Sequence, residues 1–100
     1  MSSIPIRGAF ELLRERTIER PDLDIAPMLR AIGERVAQRR GELRLSQREL
    51  AELCATTQSA IARLEGGSRA PRIDTLLRIA DALDSELVLT LRPRTTMEEP

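Results

Sequence analysis

The stretch LSQRELAELCATTQSAIARLE, residues 45–65, decides the fold that the sequence predicts. Ser46 and Glu49 have the spacing of a capping box, in which the Ser oxygen and the Glu carboxylate each accept a free backbone N–H. Apolar residues then recur at roughly helical spacing as far as Cys54. The sequence therefore predicts a short helix that begins just after Ser46.

A second short helix is predicted to follow at once. Thr57 suits a turn or an N-cap better than a helix interior, and Ile61 and Leu64 behind it share one apolar face. Gly66 and Gly67 end this helix, because glycine readily takes the left-handed conformation at a helix C-terminus. Two helices of about two turns each, joined by a turn of roughly three or four residues, form a helix-turn-helix.

Composition limits the fold and the chemistry. The 100 residues suit one small domain, and Phe10 is the only aromatic residue. The core must therefore be built from Leu, Ile, Val and Ala, as in a helical bundle, and dimerisation would help so thin a core. One Cys and no His exclude an internal disulfide, the usual zinc sites and His-based acid–base chemistry. We expect no metal, no cofactor and no enzymatic activity.

Charge gives a weaker signal. All 16 basic residues are Arg, and 16 acidic residues balance them, so the chain as a whole has no net attraction to nucleic acid. Arg suits phosphate and guanine edges better than Lys, but the codon bias of a GC-rich genome is the simpler explanation of the excess. The sequence has neither a signal peptide nor an apolar run that could span a membrane, so we expect a cytoplasmic protein.

The chain divides into four expected parts. Residues 1–25 form an arm with an amphipathic helix that ends near Arg20, and residues 26–84 form the helix-turn-helix domain. Residues 85–92 form a strand, and residues 93–100 form a disordered tail, as the first four residues should also fray. Gly33 is expected to allow close packing of the first helix of the domain, at a modest cost in helix propensity.

The strand prediction rests on a change of period. Leu87, Leu89 and Leu91 alternate with Val88, Thr90 and Arg92, and no second strand is predicted. A lone strand leaves a row of N–H and C=O groups unpaired. The simplest solution is antiparallel pairing with the same strand of another copy across a two-fold axis. A fifth short helix, or a strand that pairs with a different protein, are the alternatives.

Residues 45–71 resemble the helix-turn-helix of the Cro/repressor (Xre-like) DNA-binding family, and the resemblance extends from about Ile32 to Leu83. The positions that agree are Arg40, Ser46-Gln47, Leu50-Ala51, Thr57-Gln58, Ile61, Glu65-Gly66, Pro71 and the run 76–83. Ala55 stands where the turn commonly has Gly, and Thr56 stands where an apolar residue is usual. The resemblance implies an all-α, lambda-repressor-like bundle, here with an extra N-terminal helix and a C-terminal strand for dimerisation.

The resemblance also implies an interface with DNA, in which the second helix of the motif lies in the major groove. Gln58 is the first candidate for base recognition, because its amide can bond adenine at two positions. The candidate base contacts are Thr57, Gln58, Ser59 and Arg63. The candidate phosphate contacts are Ser46, Gln47, Arg48, Ser68, Arg69, Arg39 and Arg44, with Arg72 as a further flanking arginine. Arg40 and Glu65 are expected to form a structural ion pair.

Antitoxin repressors of the HigA and HipB type resemble this chain in placing a strand after the fourth helix of the domain. The resulting hypothesis is a dimeric repressor that reads an inverted repeat, controls its own operon and neutralises a partner toxin. Phe10, Leu13 and Ile18 of the arm are the candidate toxin contacts, unless they pack on the bundle. The alternative function is a stand-alone phage-type repressor or a restriction–modification controller protein without a toxin partner.

Overall fold

A computed structural model describes residues 6–19 and 24–93, except for the side chains of residues 6, 7 and 17–19. These ranges contain five helices: α1 (Ile6–Glu19), α2 (Ala26–Glu42), α3 (Gln47–Leu53), α4 (Gln58–Glu65) and α5 (Ile73–Ala82). The predicted all-α fold class is confirmed for this part of the chain. The expected fraying of Met1–Ile4, the side chain of Ile18 and the expected tail from Arg94 onward lie outside the described residues.

The core lies among α2, α3, α4 and α5. Leu50, Ile61 and Ile79 are its largest fully buried side chains. Leu64 and Leu76 pack around them, and Cys54 is buried in the same cluster. Because each of these four helices presents an apolar side to the others, the two short helices of the motif are held in place without any aromatic residue.

Gly33 allows α2 to lie directly against the end of α4. A Cβ atom at Gly33 would come 2.5 Å from the carbonyl oxygens of both Leu64 and Glu65. Gly41 lies in the same helix, but a Cβ atom there would have nothing within 4 Å. The close approach of α2 to α4 therefore depends on Gly33, as the sequence predicts.

The turn between α3 and α4 has a left-handed residue. Ala55 has a φ of 54°, a conformation that costs an alanine about 1–2 kcal/mol and that glycine adopts freely. The N–H of Thr56 donates to the carbonyl of Ala51 at 2.9 Å, which closes the end of α3. The helix-turn-helix thus forms although its turn lacks the usual glycine.

The predicted strand is not present in the single chain, and its pairing with a second copy stays a prediction. Residues 85–93 form neither a strand nor the alternative fifth helix, and only Leu87 packs against the core. A strand needs a second strand to pair with, and none of the described segments supplies one. The backbone of residues 86–93 makes no hydrogen bond within the described part of the chain.

Arg39 anchors the beginning of this segment. Its Nε donates to the carbonyl of Leu83 at 3.0 Å and to the Ser85 hydroxyl at 3.2 Å, and Nη2 donates to the carbonyl of Asp84 at 3.4 Å. Carbonyls at the end of a helix lack partners within it. Arg39 therefore joins the end of α2 to the end of α5.

Two of the described apolar side chains of α1 are more than half exposed. Phe10 is 64% exposed and Leu13 is 52% exposed, so neither packs on the bundle. Among the described helices, none is both long and apolar enough to cross a membrane.

Candidate nucleic-acid interface

The first turn of α4 is fixed by its N-cap. Thr57 has extended backbone angles, and its Oγ1 accepts a hydrogen bond from the backbone N–H of Ala60 at 3.1 Å. The cap satisfies one of the N–H groups that a helix start leaves without a partner. The Thr57 hydroxyl keeps its own hydrogen for donation to another group.

Helix α4 separates into a buried and an exposed side. Ile61 is 1% exposed and Leu64 is 7% exposed, so both are part of the core. The side chains of Gln58, Ser59 and Arg63 are exposed. Ser59 and Arg63 are one turn apart and are neighbours on the helix surface. The structure thus brings the candidate base-contact residues together on the solvent side of a helix whose other side is locked into the core.

The start of α3 carries the predicted capping box. Ser46 Oγ accepts from the N–H of Glu49 at 3.0 Å, and Glu49 Oε1 accepts from the N–H of Ser46 at 2.8 Å. The Ser46 oxygen is therefore occupied by the helix, and only the hydroxyl hydrogen is available to an outside acceptor.

A network of three side chains joins the motif to α2. The Arg40 guanidinium donates twice to the Glu65 carboxylate, from Nε to Oε2 at 2.7 Å and from Nη2 to Oε1 at 2.9 Å. Gln47 Nε2 donates to the same Oε1 at 2.9 Å. The remaining Arg40 nitrogen, Nη1, donates to the carbonyl of Leu45 at 2.8 Å. A two-pronged pair of this kind is among the stronger polar contacts in proteins.

The protonation states in this network favour the charged pair. Burial raises the pKa of the Glu65 carboxyl, but the hydrogen bonds from Arg40 and Gln47 and the charge of Arg40 together hold it below its ordinary value. The hydrogen bond to Glu65 raises the pKa of Arg40, although burial opposes it. The Glu65 side chain is only 7% exposed, so its ionised form depends on these partners.

Most of the candidate phosphate contacts are exposed, but Arg39 bonds other parts of the fold. Arg44 and Arg69 are exposed and form no salt bridge within the described ranges, and Arg48 is 79% exposed beside Glu52 at 3.8 Å. The Ser68 hydroxyl donates to the carbonyl of Arg63 at 3.2 Å. Arg39 differs, because three of its contacts are to the α5 end and another is to Glu42 at 3.2 Å. All three nitrogens of its guanidinium therefore donate to groups of the protein itself.

The structure adds one residue that the sequence reasoning missed. Arg30 lies in α2 directly against the loop that follows α4, since a Cβ atom at Gly67 would be 3.2 Å from Arg30 Cα. Its side chain is exposed, and the loop continues into Ser68 and Arg69, two of the candidate phosphate contacts. Nothing in the sequence near Arg30 signals this proximity, because it arises only when α2 packs against α4.

No group of three His, Cys, Asp or Glu residues suited to a metal ion lies in the described ranges.

Two comparisons with known proteins bear on this interface. A family model described as helix-turn-helix matches residues 36–89. Among solved structures, the high-resolution crystal structure of the restriction-modification controller protein C.AhdI from Aeromonas hydrophila is similar, with a TM-score of 0.62 and 33% sequence identity. That match covers 64% of this chain and 93% of C.AhdI. A search of curated protein sequences finds no match.

Proposed function

This chain belongs to the Xre/Cro-like helix-turn-helix family of DNA-binding regulators, and we propose that it is a sequence-specific transcription regulator of the restriction–modification controller type. The observation that carries the proposal is the build of α4. Its apolar side is buried in the core. Gln58 and Ser59 are exposed in its first turn, and Arg63 is exposed one turn after Ser59. A helix held in this way can present its polar residues to the major groove without reorganising.

The controller alternative has better support than the antitoxin hypothesis. The similar structure is that of a restriction-modification controller protein, and the matching family model is described only as helix-turn-helix. The exposed Phe10 and Leu13 of α1 do not by themselves identify a partner, since an exposed apolar side chain is common on protein surfaces. We therefore leave the toxin partner out of the proposed function.

Base recognition falls to the exposed side of α4. Gln58 bonds one adenine through both ends of its amide, and Arg63 bonds a guanine edge or a phosphate. Ser59 bonds either kind of base edge and discriminates less. Thr57 donates its hydroxyl hydrogen to a phosphate or places its methyl group against a thymine methyl.

Phosphate contacts surround this helix and fix its position on the duplex. The proposed set contains Ser46, Gln47, Arg48, Arg44, Ser68 and Arg69 from the sequence and adds Arg30 from the structure. Arg39 is left out, because its donors serve the carbonyls of Leu83 and Asp84 and the hydroxyl of Ser85.

A homodimer completes the proposal, since one module of this size offers few contacts to DNA. Two regions of apolar surface support it. On α5, Ile73 and Leu77 are one turn apart and more than half exposed, and in the segment after α5 Val88, Leu89 and Leu91 are 72%, 68% and 100% exposed. The unpaired backbone of residues 86–93 can form the antiparallel pair with a second copy. Such a dimer reads an inverted repeat with half-sites about 34 Å apart.

The DNA-binding function is tested by selecting duplexes from a random-sequence pool and measuring the affinity of variants for the selected duplex. Gln58→Ala should weaken binding by about 1–3 kcal/mol and relax the preference at one position. Gln38→Ala is the matched control, because Gln38 is an exposed glutamine on α2 that bonds only Glu42 within the described residues. Equal affinity of the two variants would remove Gln58 from the interface, and enrichment of no sequence would contradict the function.

The dimer is tested by sedimentation of a variant that carries both Leu89→Asp and Leu91→Asp. Two carboxylates in a paired apolar strand should give monomers, while Leu87, which packs on the core, is untouched. Leu53→Asp is the control, because Leu53 is 60% exposed on α3. A double variant that remains dimeric would place the interface elsewhere.

A further inference from the structure

We propose that Glu65 is a positioning residue for DNA binding: it holds the Gln47 amide so that an N–H, and not the carbonyl oxygen, faces a DNA phosphate. The inference rests on the proposed function and extends it from residues that touch DNA to a buried residue that sets one of them. It starts from the contact of Gln47 Nε2 with Glu65 Oε1 at 2.9 Å.

The contact fixes the orientation of the amide. A glutamine amide has an oxygen that accepts and a nitrogen that donates two hydrogens. A carboxylate only accepts, so Glu65 must face the nitrogen of Gln47. No other hydrogen bond of the Gln47 amide is present among the described residues. One N–H and the carbonyl oxygen thus remain available, and only the N–H can bond a phosphate oxygen.

The rest of the network keeps Glu65 in place. Its two oxygens receive Arg40 Nε at 2.7 Å and Arg40 Nη2 at 2.9 Å, and Arg40 is itself tied to the carbonyl of Leu45. Glu65 also closes α4 at its C-terminal end. The orientation of a side chain at the start of α3 is therefore set from the end of α4 by a rigid acceptor.

Charge makes this arrangement compatible with a phosphate. An unpaired carboxylate one hydrogen bond away from a phosphate contact would repel it. The two bonds from Arg40 neutralise Glu65 where it lies, so Gln47 is anchored by an acceptor that carries little net field. Arg40 and Glu65 together act as a neutral clamp on Gln47.

The clamp orders the Gln47 side chain before DNA binds. A glutamine side chain on a helix surface samples many rotamers, and fixing it on binding is unfavourable. When only a fraction of the free protein has the competent rotamer, the apparent affinity falls by that fraction. With three side-chain torsions released, we expect the loss to be about three- to tenfold.

The test is a double-mutant cycle of Gln47→Ala and Glu65→Gln, with affinity measured on the duplex selected from the random-sequence pool. Glu65→Gln also removes a negative charge, and that effect occurs whether or not Gln47 is present. The positioning effect occurs only with Gln47. We expect Glu65→Gln to be about three- to tenfold more damaging in the wild-type background than in the Gln47→Ala background. Glu52→Gln, an exposed carboxylate on α3, is the charge control and should show no coupling to Gln47→Ala.

Equal effects of Glu65→Gln in the two backgrounds would overturn the proposal, as would a Gln47→Ala variant that binds like the wild type. Both results leave the proposed function standing, because the wild-type protein still binds the selected duplex. Failure of the wild type to bind any duplex would refute the proposed function and this inference with it.

A measurement on the wild-type protein covers the case in which Glu65→Gln unfolds. In the free protein, the Nε2 hydrogens of Gln47 should exchange with solvent more slowly than those of Gln58, which is exposed and makes no hydrogen bond among the described residues. Equal exchange rates of the two amides would show that Gln47 is not held, and would overturn the proposal.

Discussion

The four-helix bundle and the segments on either side of it treat their apolar residues in opposite ways. In the bundle, Leu50 and Ile61 are 0% and 1% exposed, and in the flanks Phe10 and Leu91 are 64% and 100% exposed. Large apolar side chains are therefore buried in the core of the bundle and exposed in the flanking segments. The bundle has a closed apolar core within the single chain, while the described residues of the flanks leave most of their apolar side chains exposed.

The largest expected effect compares two leucines. Leu50→Ala should lower the free energy of unfolding by about 2–5 kcal/mol, because it opens a cavity in a closed core. Leu91→Ala should change it by no more than about 0.5 kcal/mol in the monomer, since Leu91 touches no core residue. Denaturant unfolding of both variants at a concentration that keeps the protein monomeric gives the two values. A large loss for Leu91→Ala would show that the segment after α5 belongs to the fold of the single chain.

The next effect compares two glycines of the same helix. Gly33→Ala should destabilise by about 1–3 kcal/mol, because the added methyl meets two backbone carbonyl oxygens at 2.5 Å. Gly41→Ala should stabilise by about 0.5–1 kcal/mol, since a Cβ atom there meets nothing within 4 Å and alanine is the better helix former. Thermal unfolding measures both. If Gly33→Ala is neutral, α2 does not approach α4 as closely as described.

The smallest expected effect is a change of stability with pH that comes from the buried ion pair of Arg40 and Glu65. The pKa of Glu65 is lowered in the folded state from an ordinary value of 4.5. The stability it contributes is therefore present above 4.5 and is lost as the pH falls below that value toward the folded pKa. The difference in Tm between the wild type and Glu65→Gln should shrink across that window. A difference that stays constant into acid would show that the carboxylate is not held by Arg40.

Local patterns in the sequence predict most of the bundle. The Ser46–Glu49 capping box involves residues three apart, and its two hydrogen bonds need no tertiary contact to form. The apolar faces around Leu50 and Ile61 follow from helical period alone. The pairing of Arg40 with Glu65 spans 25 residues and came from family resemblance, because period and spacing do not fix a contact at that separation.

The remainder depends on contacts that no local pattern encodes. The period of two in residues 87–91 is real, but the strand it predicts requires a partner strand, and the described residues of the chain supply none. Arg39 resembled any other surface arginine in the sequence, and only the meeting of α2 with the end of α5 shows its acceptors. Arg30 lies beside Gly67 and the candidate phosphate contacts that follow it, and this proximity exists only after the bundle has formed.

The most direct test of a dimer that reads DNA with α4 is a nuclease footprint on the DNA upstream of the protein's own gene, with the wild type and with Gln58→Ala and Gln38→Ala. The wild type and Gln38→Ala should protect two half-sites about one helical turn apart, and Gln58→Ala should lose this protection at the same concentration. Protection that is unchanged by Gln58→Ala, or that consists of one isolated half-site, would contradict a dimer that reads DNA with α4.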